Sequence, residues 1–329
     1  MSRRGVIALF GGAALAWALP GNAQQPGRTR RISLMVSYAE SDPEAQERVT
    51  AFRQGLRQAG WIEGRNARVD VRWHAGDPER AKAHAKELVN LQPDVIVANG
   101  TPALEAFRKL TDSIPIVFVV VTNPVGAGYV PSLSRPGGNI TGFSTFEPDI
   151  GGKWLEILKE IAPDVRRVGI LTDRAQTGFT RLRQAVETAA PLFDFKVVAL
   201  DARDGTEIIR AVETFALEPN GGLVVLPNPI NSVHRDRIYS LAAEHRLPAM
   251  YPFAFHARSG GLVAYGFDVV DLFRRAGTYV HRIFNGERPG DLPVQAPTKF
   301  ELVINMRSAR ALGLDVPPLV LARADEVIE

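Results

Sequence analysis

The chain has 329 residues, with 39 Lys and Arg against 36 Asp and Glu, a formal net charge of +3 and no cysteine. The lack of cysteine excludes disulfides, thiolate catalysis and a lipid-modified cysteine, and the near-neutral balance excludes the basic footprint that DNA or RNA requires. A chain of this length exceeds what one hydrophobic core usually serves, so two lobes are expected.

At the N-terminus, Ser2-Arg3-Arg4 precedes an uncharged, largely apolar run over residues 5–19, then Pro20-Gly21-Asn22-Ala23. A charged start, a short apolar core and small residues at Gly21 and Ala23 read as a cleavable secretory signal over 1–23. The run is shorter than the about 20 apolar residues a membrane-spanning helix needs. Arg3-Arg4 suits either a Sec signal or a twin-arginine signal. Cleavage takes two from the 39 basic residues and leaves 37 against 36 acidic ones. A mature protein free in the periplasm is expected.

After residue 30, β-rich runs alternate with amphipathic segments. Strands are predicted at 31–36, 67–73, 94–99 and 114–121, with helices at 43–59, 78–91 and 102–109 between them. The run Ile114-Pro115-Ile116-Val117-Phe118 is apolar enough to be covered on both faces, as parallel strands in α/β sheets are. A turn-rich joint, Arg135-Pro136-Gly137-Gly138-Asn139, opens a second series. It has helices at 151–161, 178–190, 206–217 and 233–246, and strands at 167–171, 196–200, 222–226 and 249–251. The alternation predicts βαβ units with right-handed crossovers, hence two similar lobes built on parallel sheets. The tail breaks the rhythm with a strand at 262–265, a helix at 269–285 and a late strand at 300–305. These elements are expected to return and complete both lobes, giving 30–141 plus about 266–292 as one lobe and 142–265 plus about 293–329 as the other.

No catalytic constellation appears. The P-loop, a Gly-rich turn after the first strand, a Gly-x-Ser-x-Gly elbow and a His-Glu-x-x-His helix are all missing from the sequence. The histidines (His74, His84, His234, His245, His256 and His281) read as surface or partly buried residues. The informative positions are the carboxyl ends of the strands, where ligands of open parallel sheets sit. There stand Ser37-Tyr38, Asn99-Gly100-Thr101-Pro102, Thr122-Asn123-Pro124, Thr172-Asp173-Arg174, Pro227-Asn228-Pro229, Tyr251 and Gly266-Phe267-Asp268. Thr101 is expected to cap a helix starting at Pro102, leaving backbone N–H groups open to an anion. Asp268 reads as a helix cap or as a partner for a ligand ammonium group. Tyr38, Phe143, Tyr251 and Phe267 suit either an apolar pocket lining or the core.

Several motifs together resemble the ABC transporter substrate-binding family of the tryptophan/tyrosine-import type. They are Phe52-Arg53-Gln54-Gly55-Leu56, Gly60-Trp61-Ile62-Glu63-Gly64-Arg65-Asn66, Thr101-Pro102-Ala103, Thr122-Asn123-Pro124-Val125-Gly126-Ala127-Gly128, Ser132-Leu133-Ser134-Arg135-Pro136-Gly137-Gly138-Asn139-Ile140-Thr141-Gly142 and Pro297-Thr298-Lys299-Phe300-Glu301-Leu302-Val303-Ile304-Asn305. The resemblance implies a type I periplasmic-binding fold: α/β, two Rossmann-like lobes, a hinge of three crossing segments and a small-molecule ligand between the lobes. It also implies a membrane permease as partner, no cofactor or metal, no nucleic acid, and no enzymatic activity. The family's binders of aromatic amino acids resemble this chain at Thr101-Pro102, at Thr122 to Pro124 and at Asp268; with the strand ends read above, the candidate ligand-binding positions are Ser37, Tyr38, Gly100, Thr101, Pro102, Thr122, Asn123, Asp173, Asn228, Tyr251 and Asp268. Two departures leave the ligand open. Asn123 replaces an acidic residue, and Asp173-Arg174-Ala175-Gln176 and Asn228-Pro229-Ile230 replace small polar loops. A monomer is expected. A periplasmic sensor subunit of the same fold is the alternative.

Overall fold

In the computed structural model, which describes residues 28–145, 150–175 and 179–329, two sheets divide the chain. The proposed signal over 1–23 lies outside these residues. In the first sheet, β1 (Arg30–Val36) pairs in parallel with β2 (Ala67–Trp73) and with β3 (Val95–Asn99). β4 (Ile116–Val121) and β5 (Ile140–Ser144) extend it in the order β2-β1-β3-β4-β5. Alternate β1 side chains leave on opposite faces. Ile32, Leu34 and Val36 share a cluster with Val49, Phe52 and Leu56 of α1 (Pro43–Gln58). Met35 instead meets Ala85 and Leu88 of α2 (Pro78–Asn90) and Leu104 and Phe107 of α3 (Gly100–Arg108). Helices on both faces explain why β3 and most of β4 are buried apolar runs. Asp42 and Asp77 begin α1 and α2 by accepting N–H bonds from the first turns, each ahead of a proline.

The second sheet runs β12-β11-β10-β9-β8-β6-β7. Its strands are β6 (Arg167–Thr172), β7 (Lys196–Asp201), β8 (Gly221–Val225), β9 (Ala249–Tyr251), β10 (Val263–Phe267), β11 (Phe300–Asn305) and β12 (Glu326–Ile328). The helices that come after β5 are α4 (Ile150–Ile161), α5 (Thr180–Ala189), α6 (Gly205–Ala216), α7 (Pro229–Val233), α8 (Arg235–Glu244), α9 (Ala254–Arg258), α10 (Val269–Phe284), α11 (Met306–Leu312) and α12 (Pro318–Leu321). Every pairing is parallel except β10 with β11. β11 escapes the crossover rule because the chain reaches it by returning from the first sheet's side, not through a βαβ unit of its own.

The chain passes between the two sheets after β5, after β10 and before β11. The middle passage is anchored by α10, which crosses α1 backbone to backbone. A Cβ on Gly55 would lie 2.0 Å from the Arg274 carbonyl oxygen, and one on Gly277 would lie 2.6 Å from the Leu56 nitrogen. Further along α10, Tyr279 packs on Phe143 of β5 with ring centroids 4.8 Å apart.

Some expectations shift. β5 continues the first sheet to Ser144, beyond the turn-rich joint and past residue 141. The helix expected over 233–246 is α8, and a separate short helix, α7, precedes it, because Asn228 caps an earlier turn by accepting from Asn231 N. The short α9, α11, α12 and β12 have no counterpart among the predicted elements; none spans enough residues to show a period. Among the described residues, no helix is long and apolar enough to cross a membrane.

Candidate functional site

The carboxyl ends of β1, β3 and β4 are tied together by one side chain. Asn99 Oδ1 accepts from Ser37 N at 3.2 Å, its carbonyl accepts from Ser37 Oγ at 2.6 Å, and its Nδ2 donates to Val119 O at 3.4 Å. This use of Asn99 moves the start of α3 to Gly100, which adopts φ +80°. A Cβ there would stand 2.8 Å from Ser37 Oγ, so the turn requires glycine. Thr101 therefore does not cap the helix, and Pro102 sits inside the first turn. Pro102 has no N–H, so the unpaired first-turn donors are those of Gly100 and Thr101.

At the end of β4, Val120 takes φ 63° beside a register shift between Val119 and Val121. A β-branched residue in this region is strained, and the bulge re-aims the strand end that carries Thr122 and Asn123. Thr122 shares a hydrogen bond of 2.7 Å with Thr145 beyond β5. Asn123, at φ 49°, turns its Oδ1 back onto Gly126 N at 3.1 Å.

In the other half, Asp173 is buried after β6 and accepts from Ala175 N at 2.9 Å. Arg174 lines an open pocket of about 460 Å³ with Thr172, Asp173, Phe179, Thr180 and Arg183. Gln176 lies outside the described residues. Asn228, wholly buried after β8, caps α7 through Oδ1 and leaves Nδ2 without a partner among the described residues. Asp268 caps α10 by accepting from Asp271 N at 3.0 Å, while its Oδ2 lies 3.3 Å from Lys299 Nζ. Both readings of Asp268 thus start from an occupied carboxylate.

Tyr251 belongs to the core. It is 1% exposed, stacks on His256 at 5.1 Å and meets Tyr239 edge-on, and its hydroxyl has no partner among the described residues. Phe143 is packed against Tyr279, and Phe267 meets Phe253 edge-on at 5.4 Å. The histidines also divide differently from expectation. His74 and His256 are fully buried, because each sits on the inner side of a strand end or helix instead of at its rim. Burial holds the His74 imidazole down to about 4 and His256 well below its ordinary value. Among the described residues, no group of three or more His, Cys, Asp or Glu is placed to hold a metal.

Three residues that sequence reasoning passed over join the two halves. Asp42, the α1 cap, accepts from Arg235 Nη1 of α8 at 2.6 Å, with side chains only 10% and 13% exposed. Arg48 of α1 lies over the Tyr38 ring at 4.3 Å and reaches within 5.7 Å of the Phe255 ring of α9. A signal for Arg48 existed in the sequence. It lies three residues after Ala45 and four before Phe52, on the buried stripe of the helix.

The arrangement is two α/β halves joined by a partly charged seam at Asp42–Arg235 and Arg48–Phe255. It offers hydrogen-bond donors and aromatic faces. A structure of a conserved domain protein from Vibrio cholerae O1 biovar El Tor is similar, at 29% identity, with 91% of this chain and 100% of that one covered and a TM-score of 0.86. A Streptococcus pneumoniae ABC domain in complex with L-Trp matches at 23% identity over 91% and 100% of the two chains, with a TM-score of 0.85. A tyrosine-binding protein of Clostridioides difficile (strain R20291) is 26% identical over 291 residues, covering 87% of this chain and 82% of that protein. The model of the ABC transporter substrate binding protein family matches residues 33–328, and the chain belongs to that family.

Proposed function

We propose that the chain is the periplasmic receptor of an ABC importer, and that its ligand is an aromatic amino acid or another small carboxylate held between the lobes. The observation that carries this reading is the seam itself. Each half carries buried polar strand ends, and the Asp42–Arg235 pair exists only when the halves are together. A ligand touching both halves shifts the hinge equilibrium toward that closed form, whose surface the permease then recognises. Ser37, Tyr38, Gly100, Thr101, Pro102, Thr122 and Asn123 form the first half of the site. The N-terminal turn of α3 draws the anionic end of the ligand to that half. Asp173 and Asn228 form the second half, and Asp268 at the hinge meets a ligand amine by exchanging its contact with Lys299. The relatives support the ligand class by what their names say they bind. The mature protein begins after Ala23 and acts as a monomer.

The test is a thermal-shift screen of the mature protein, unfolded and refolded to strip any bound ligand. The panel holds amino acids, aromatic acids, purines and small sugars, because a ligand that binds only the folded state raises the melting temperature. A hit weakened by Asp268→Asn, which keeps the helix cap and removes the charge, supports the site. Hits confined to sugars or purines refute the ligand class.

A further inference from the structure

Arg48 is 2% exposed, and among the described residues its Nε and Nη2 are buried with no hydrogen-bond acceptor. The flat of the guanidinium lies over Tyr38, whose residue neighbour Ser37 binds Asn99 at the head of α3. Phe255 approaches from the opposite half. These rings cover the faces of the guanidinium but cannot accept the hydrogens in its plane. Glu44, one turn earlier, feels Arg48 without forming an ion pair with it, and burial holds the Glu44 carboxyl above its ordinary range. Arg235, also near Phe255, contrasts with Arg48 because Asp42 balances its charge.

An arginine cannot shed its proton to escape burial. An unpaired buried guanidinium therefore disfavours the closed form until something supplies an anion. In the open form water can reach it, so the penalty falls on closure. Nε and Nη2 form one edge of a planar fork, which matches the two oxygens of a carboxylate.

We infer that Arg48 determines ligand class: the ligand carboxylate docks on the Nε–Nη2 edge of Arg48 as the lobes close. The inference rests on the receptor reading above and deepens it. The carboxylate is the leading contact, since a ligand amine meets Asp268 only by displacing Lys299. Desamino aromatic acids therefore still bind, more weakly than their amino-acid counterparts by the contact of the amine with Asp268.

The experiment measures binding of L-tyrosine, L-tryptophan, 3-(4-hydroxyphenyl)propionate and tyramine to the mature protein by calorimetry and thermal shift. Wild type is compared with Arg48→Gln, Arg48→Lys and Arg48→Met. At least one carboxylate probe is expected to bind wild type, to weaken roughly thirtyfold or more in Arg48→Gln, and to recover partly in Arg48→Lys. Tyramine, which lacks the carboxylate, is expected to bind weakly and equally to all. Arg48→Met serves if the glutamine variant does not fold. It removes the unpaired charge, so the unliganded protein should be as stable as wild type or more so. Carboxylate affinity within threefold of wild type in Arg48→Gln or Arg48→Met overturns the inference and leaves a buried water as the partner of Arg48. Binding of tyramine alone overturns it too, while the receptor reading stands. No shift with any probe refutes both the inference and the proposed ligand class.

Discussion

The Asp42–Arg235 pair lets the energy of closure be tested with one atom exchanged. Asp42→Asn keeps Oδ1, which accepts from Glu44 N at 3.0 Å and caps α1, and removes the charge that faces Arg235 at 2.6 Å. With charge centres about 4 Å apart and an effective dielectric near 20, the Coulomb attraction is about 4 kcal/mol. The side chains are 10% and 13% exposed. Residual water and relaxation of Arg235 onto the Ser232 carbonyl, 3.1 Å away, reduce the net loss to about 2 kcal/mol. In the open form both ions are hydrated and the substitution costs little. The loss therefore falls on the closed form, and the dissociation constant of the ligand found by the screen should rise about thirtyfold. Calorimetric titration of wild type, Asp42→Asn, Arg235→Met and the double variant measures this, and the double-variant cycle isolates the pairing energy. A dissociation constant within twofold of wild type in Asp42→Asn would refute the reasoning. So would an equal loss of stability with and without ligand, because the unliganded protein would then already be closed.

Other consequences are open to direct measurement. His74 is held neutral by burial, near 4 against an ordinary 6.5, so its depressed value makes stability complete above pH 6.5 and lost as pH falls toward 4. Between pH 7.5 and 5 the loss is about 2 kcal/mol. His74→Leu should flatten the urea-midpoint profile by that amount, and an unchanged profile would place the titration elsewhere, with His256 the first alternative. Gly277→Ala presses a methyl against the α1 backbone, where Cβ would lie 2.6 Å from Leu56 N. The expected cost is about 3 kcal/mol or failure to fold, and a melting temperature within two or three degrees of wild type would contradict the crossing. Tyr251→Phe removes a buried hydroxyl that has no partner among the described residues. Stability should hold or rise by up to about 1 kcal/mol, with ligand affinity unchanged; a loss of affinity would return Tyr251 to the site.

The architecture was legible because its signals are local. Apolar runs such as 116–121 have no polar residue to expose, Asp42-Pro43 and Asp77-Pro78 announce helix starts, and the alternation of strand and helix leaves little freedom in topology. The strand ends carrying Ser37, Thr122, Asp173 and Asn228 could also be read, because a parallel sheet opens its binding edge at the carboxyl side of its strands. Short elements such as α9 and β12 escaped, being shorter than one clear period. The antiparallel entry of β11 escaped as well, since strand direction depends on where the chain last crossed the hinge.

The sequence by itself determined the family, the α/β layering and the candidate strand ends. Only the tertiary structure decided which contacts those residues make. Asn99 spends its side chain tying three strands together, so α3 begins at Gly100 and Thr101 caps nothing. Tyr251 turns into the core, Asp268 is engaged by Lys299, and Arg48 is buried with no acceptor for Nε and Nη2 among the described residues. These outcomes depend on contacts between residues far apart in the chain, such as Asp42 and Arg235, 193 positions apart. Local propensity and hydrophobic period carry no information over such separations, and burial and pairing of charge are settled only when the two halves meet.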